Sequence, residues 1–409
     1  MTIGTEIRDV NALLDQFRNH AMRDPALLQR LAPIYDDNLF AAAVVDVAMA
    51  QGIALSIADV RGAVKPDPAG MDRFDEMPPR GLDWPDPQWL PSAMVAAGPE
   101  MVVDWVHFAG RRLTGPFFMD SLIQARPLPI NRLMRYRTPL SNFAQGAPTE
   151  GLPVPNGFVF HLSRCGSTLV AQMLAAMDDT VVASEPSPLD DVIQWARLRA
   201  DVPVEIRVNI VRAMVGALGR DRTGEARHYV VKLDCWHTLE LPLLRRAFPD
   251  TPWVFLYRDP VEILVSHMRM RGIQTVAGAS LNTFGIIDGQ NMPVEEYTAR
   301  VLRSISDAVI EHQSLGGGLL INYDALPGAV EAQILPHFGI DPDDDARAAL
   351  RAAGGKDAKM PMQAFSRDTE RKQQAATPAV RAAAAEHLAE PYRRLEELRL
   401  AQGVTSGSR

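Results

Sequence analysis

Five short apolar runs, spaced by helical stretches, constrain the fold of this 409-residue chain more than any other feature. They lie near 158–161, 181–184, 229–233, 253–257 and 318–322. Runs without polar alternation predict strands covered on both faces. Their regular interruption by helices from about 157 to 340 predicts a doubly wound, mostly parallel α/β sheet. Ligands of such a sheet bind at the C-terminal ends of its strands.

The first run opens the sequence GFVFHLSRCGSTLVAQML, residues 157–174. An apolar strand through His161 gives way to a polar turn, Ser163-Arg164-Cys165-Gly166, and Ser167 and Thr168 begin a helix. This is the layout of a phosphate cradle: turn and helix N–H groups converge on an anion, Arg164 adds charge and the hydroxyls add donors. Glycine at 166 lets the backbone come close to the ligand. The nucleotide triphosphatase motif is not met, because no Lys follows Gly166. Taken alone, these residues also suit an ordinary capped turn.

A second stretch, TPWVFLYRDPVEILVSHMR at 251–269, repeats the strand-turn-helix pattern, with Pro260 in the first turn. It places Arg258 at a strand end and Ser266 two turns into the helix. The two stretches, in this order, resemble the 5′-phosphosulfate loop and the 3′-phosphate site of sulfotransferases that use 3′-phosphoadenosine 5′-phosphosulfate (PAPS). The resemblance implies a three-layer P-loop-like core from about 150 to 345. It also implies that Arg164, Cys165, Gly166, Ser167 and Thr168 bind the 5′-phosphate, and that Arg258 and Ser266 hold the 3′-phosphate. Tyr323 in GLLINYDALP resembles the residue that helps hold the adenine, although Asp324-Ala325-Leu326 departs from the family's Tyr-Glu-Asp-Leu.

For catalysis the resemblance implies Arg164 at the bridging and leaving oxygens, together with a base for the acceptor's proton. Glu185, just past the second strand, matches the position of the base in several bacterial and tyrosine-directed members. Lys232 matches a strand-end Lys of the cytosolic members, but their catalytic His is replaced by Asp234, with His237 three residues on. Asp234 is therefore the second candidate for the base, and Lys232 an assistant to the leaving group. No divalent metal is required by this chemistry, and the sequence carries no metal-ligand spacing.

A net charge of −8 argues against a general nucleic-acid binder. Cys165 and Cys235 form no disulfide framework or zinc motif. With no long apolar stretch and no signal-like start, a cytoplasmic protein is expected. Residues 1–145 are expected to form a mainly helical accessory domain, and residues 150–409 the α/β domain with a helical extension. Helical runs between 6 and 61 faintly resemble the leader domain of some ribosomal peptide precursors, which would make them a peptide-recognition module. Residues 62–100, rich in Pro, Asp and Gly, read as a long irregular connection. Arg132, Arg135 and Arg137 read as a solvated basic face or as a contact for an acidic substrate.

The expected activity is transfer of the sulfuryl group of PAPS to a hydroxyl or amine, leaving adenosine 3′,5′-bisphosphate (PAP). Small-molecule, glycan, lipid and peptide acceptors all remain open. The alternatives are a nucleotide-dependent small-molecule kinase, or a non-catalytic nucleotide-binding adaptor that uses the N-terminal helices for recognition.

Overall fold

The computed structural model describes residues 9–66, 71, 81–148, 151–279, 283–356 and 368–406. The chain forms two compact units. One comprises Met1–Arg112, Met119–Leu152 and Arg220–Gly224; the other comprises Leu113–Phe118, Pro153–Gly219 and Glu225–Arg409.

In the first unit, helices Val10–Ala21, Pro25–Leu31, Asp37–Ala50 and Ile57–Ala63 follow one another, each started by a short polar side chain. Asp24 accepts from the Leu27 N–H at 3.0 Å, with Pro25 in the first turn. Ser56 and Asp59 form a reciprocal box, in which the Asp59 carboxylate accepts from the Ser56 N–H at 2.7 Å. An antiparallel sheet of order β1-β2-β3 follows, from β1 (Trp89–Ala97), β2 (Glu100–His107) and β3 (Tyr136–Pro139). β1 corrects the expectation that 62–100 is wholly irregular. Pro91 is tolerated there because the register shifts between Pro91 and Ala93, and such a bulge removes the need for its missing donor. Two of the basic-stretch arginines are engaged inside the unit, contrary to both sequence readings. Buried Arg137 meets Asp104 at 2.5 Å, and Arg132 pairs with Asp37.

The second unit is built on a five-stranded, wholly parallel sheet. Its strands are β4 (Gly157–His161), β5 (Thr180–Ser184), β6 (His228–Lys232), β7 (Trp253–Tyr257) and β8 (Gly318–Asn322). Each expected strand is found within a residue of its sequence position. The order is β5-β6-β4-β7-β8. Every residue of β4, β5 and β7 is buried, which is why these strands read as unbroken apolar runs. The chain leaves central β4 toward one edge for β5 and β6, then crosses to the other side for β7 and β8. The C-terminal end of β4 is therefore a switch point, where connections diverge and leave a crevice.

The chain ends in a helical run from Pro378 to Ser406, with a wider π turn at Ala384–Leu388. Pro391 accounts for that turn, since its ring excludes the carbonyl four residues earlier from the regular ladder. Glu396 of this helix accepts from Tyr257 Oη at 2.5 Å and Asn322 Nδ2 at 2.8 Å, tying the helix to the ends of β7 and β8. Among the described residues, no helix is long and apolar enough to cross a membrane.

Candidate active site

A cleft of about 520 Å³ opens at the C-terminal ends of β4, β5, β6 and β7. Of the residues singled out from sequence, Arg164, Gly166, Ser167, Thr168, Glu185, Asp234, Arg258, Ser266 and Tyr323 all line it. The structure thus brings together side chains from a stretch of 160 positions.

The turn after β4 is sharply bent. Ser163, Arg164 and Gly166 have positive φ values of 64°, 51° and 87°, and Gly166 caps helix Ser167–Ala175. The first N–H groups of a helix have no acceptor within it, so they face the cleft as donors. A Cβ on Gly166 would stand 2.7 Å from Leu326 Cδ1 and 3.0 Å from the Tyr323 ring. Gly166→Ala is therefore expected to cost about 1–3 kcal/mol of stability, and to weaken anion binding further by pushing Tyr323 and Leu326 aside. Thermal unfolding and a phosphate-ligand titration of the purified variant check this.

Arg164 reaches across the cleft, its Nη2 donating to the Met270 carbonyl at 2.6 Å. This contact fixes the guanidinium without neutralising it. Cys165 turns the other way: its side chain is fully buried and its Sγ lies 3.1 Å from the Leu256 carbonyl. Only the backbone of Cys165 is available to the cradle. Burial pushes its thiol up to about 12, and Cys235, also buried, is raised well above the usual thiol range.

Glu185 sits beyond β5 at a φ of 48°. Its N–H donates to the Lys232 carbonyl at 2.7 Å, and its carboxylate is paired with the Lys232 ammonium. Lys232 is wholly buried, with its Nζ 5.3 Å from the Phe117 ring centre. His161, at the end of β4, completes the group. Its Nδ1 accepts from the Ser163 N–H at 3.0 Å, so the ring proton lies on Nε2, 3.2 Å from Glu185 Oε1. Burial by itself raises the Glu185 carboxyl, but Lys232 and His161 outweigh it and hold the group well below the carboxylate range. His161 was not singled out from sequence. The only sign of it was a polar residue closing an apolar strand two positions before the turn.

Asp234, just past β6, behaves in the opposite way. Burial first, then repulsion from the Glu185 carboxylate, push it up to about 7. Its backbone N–H donates to His237 Nδ1 at 3.3 Å, and His237 Nε2 lies 2.8 Å from Asp190 Oδ1. Asp190, Asp234 and His237 hold potential metal-ligand atoms within 4.8 Å of one another. Both ring nitrogens of His237 are already committed, however, so a metal ion would have to break this arrangement. His237 itself is buried and is not among the residues that line the cleft.

Arg258 is buried between partners. Its Nε donates to Glu262 at 2.6 Å and its Nη2 to Asp368 at 2.6 Å, with the guanidinium 3.8 Å from the Tyr323 ring centre. Ser266 lines the same end of the cleft, as does Lys372. Residues 357–367, which precede Asp368 and Lys372, lie outside the described residues.

Residues 155–316 match the family model described as "Sulfotransferase family". Over this segment the chain matches the sulfotransferase family. The segment spans the cradle, Glu185, Lys232, Asp234, Arg258 and Ser266, whereas Tyr323, Asp368 and the whole first unit lie beyond it. Among solved structures the chain is similar to the sulfotransferase domain from the curacin biosynthetic pathway, at 14% identity and a TM-score of 0.35, over 58% of this chain and 98% of that one. It is similar to the sulfotransferase domain of the Synechococcus PCC 7002 olefin synthase at 15% identity and 0.35, over 62% and 97%. A sulfotransferase from Mycobacterium avium gives 12% identity and 0.38, over 61% and 80%. The sulfotransferase assignment stands on the family match and not on these superpositions. No curated protein matches the chain.

Proposed function

We propose that the protein is a PAPS-dependent sulfotransferase acting on a hydroxyl, or an amine, by in-line displacement, with Asp234 as the base. The observation that carries this reading is the convergence of the Arg164–Thr168 cradle, Arg258 with Ser266, and the buried Asp234 carboxyl on one cleft.

PAPS when bound supplies a sulfuryl group already joined to a phosphate leaving group. The chain's own residues do the rest. The N–H groups at the start of helix Ser167–Ala175 hold the 5′-phosphate, and the close packing around Gly166 fits a ligand that must lie directly on backbone. Arg164, pinned at Met270, presents fixed positive charge where the leaving oxygen gains negative charge. Arg258, Ser266 and Lys372 serve the 3′-phosphate, and Tyr323 backs Arg258 and borders the adenine. Asp234 takes the acceptor's proton, because a base works best with a pKa near the working pH. Glu185, held ionised by Lys232, is a weak base, and its role is to pair with the Lys232 side chain buried beneath the site. Phe117, Trp236 and Ile273 border the remaining part of the cleft and would receive the acceptor.

Calorimetric titration with PAP, ADP and ATP, with and without magnesium, tests the reading. PAP binding is expected to be indifferent to magnesium and to weaken at least about tenfold in Arg258→Lys, which keeps the charge but loses the fork. Magnesium-dependent ATP binding with no preference for a 3′-phosphate would overturn it in favour of a kinase.

A further inference from the structure

Asp368 stands where an anionic ligand would be expected. It lies 110 residues beyond Arg258 in sequence, directly before the short helix Thr369–Ala375, yet its Oδ1 accepts from Arg258 Nη2 at 2.6 Å. Its other oxygen lies 3.1 Å from Lys372 Nζ. One carboxylate thus bridges the two basic groups that line this end of the cleft, beside Ser266. Glu262 sits on the Nε side of Arg258, 2.6 Å from Nε and 2.5 Å from Nη2, and the exposed Arg371 reaches Asp368 at 3.6 Å, so three positive groups face two negative ones.

A phosphate dianion would meet Arg258 and Lys372 already answered by carboxylates, with only the exposed Arg371 in excess. For it to bind, one carboxylate must leave. Glu262 is held: it is buried, one helical turn from Arg258 on helix Pro260–Arg269, and it also accepts from Thr369 Oγ1 at 3.2 Å. Asp368 is partly exposed and comes from a different segment. Its departure would release Lys372 Nζ and one of the two contacts of Arg258 Nη2, two donors already converging on one anion position, while Glu262 keeps the other contact.

We propose that Asp368 occupies the place of the donor's 3′-phosphate and must be displaced before that phosphate binds, so that this residue sets how strongly the site prefers a 3′-phosphorylated nucleotide. The proposal rests on the PAPS reading above. It makes Asp368 an internal competitor, lowering affinity only for ligands that carry the 3′-phosphate.

The test is titration of the full chain and of Asp368→Asn with PAP and with adenosine 5′-phosphate, which lacks the 3′-phosphate. Removing a competitor that fills the position nine-tenths of the time tightens binding about tenfold. Asp368→Asn should therefore bind PAP about tenfold tighter and adenosine 5′-phosphate unchanged, the latter also showing that the variant is folded. A gain of PAP preference in the variant where the parent has little supports the proposal equally. Unchanged or weaker PAP binding, with preference over adenosine 5′-phosphate retained, overturns the proposal and makes Asp368 an orienting partner of Arg258. Equal tightening of both nucleotides also overturns it. If neither protein prefers PAP, the PAPS reading falls with it, an outcome distinct from the others.

Discussion

Asp234→Asn should lower kcat by about 10²–10⁴-fold while leaving PAP affinity within about twofold, since it removes only the group that accepts a proton in the transition state. The parent enzyme should gain activity tenfold per pH unit on the acid side and level off above about 7, where Asp234 loses its proton. The variant should lose that limb of the profile. Stability should move the other way. The folded state raises the pKa of Asp234, so its contribution is full below the unfolded carboxyl value and is lost as pH rises through about 7. At pH 8 a buried charge is thus held at a cost that asparagine avoids, and the variant should melt higher than the parent there. Rate profiles and melting curves at pH 6 and 8 check both. Retained activity in Asp234→Asn alongside its loss in Glu185→Gln would reassign the base to Glu185.

Glu185→Ala should be the most destabilising single change in the cleft. Lys232 has no exposure, and its ammonium would be left in the interior without its counter-charge. Breaking a buried pair from one side costs about 3–5 kcal/mol, which lowers Tm on the order of 10 °C for a domain of this size. The double variant Glu185→Ala/Lys232→Met removes both charges and should recover most of the loss. A double variant that melts no higher than Glu185→Ala would show that the carboxylate matters for something other than balancing Lys232. On the reading proposed above, the same pair is what keeps Glu185 from acting as the base.

Much of the second unit was legible because its information is local. Strands β4, β5 and β7 are buried on both faces, so a short, mostly apolar run that ends in a polar residue announces each of them. The cradle and the Arg258–Ser266 spacing lie within single strand-turn-helix segments. What sequence reading missed depends on partners far along the chain. His161 has meaning only beside Glu185, and Arg258 is answered by Asp368 across 110 positions. Arg132 and Arg137 looked like a basic surface because their carboxylate partners, Asp37 and Asp104, lie 95 and 33 residues away. β1 was hidden by its proline, which a local register shift accommodates. Which of Glu185 and Asp234 the buried Lys232 reaches was likewise closed to sequence.

The inward turn of Cys165 has a practical consequence. A thiol in an anion-attracting turn would ordinarily be among the most reactive groups of a protein, but here burial keeps it protonated, and Cys235 is shielded in the same way. The chain contains no other cysteine. A single cysteine introduced at an exposed position, such as Ile273 at the rim of the cleft, would therefore be the one thiol open to maleimide chemistry, and a fluorophore placed there would report ligand arrival without background from the native sulfurs.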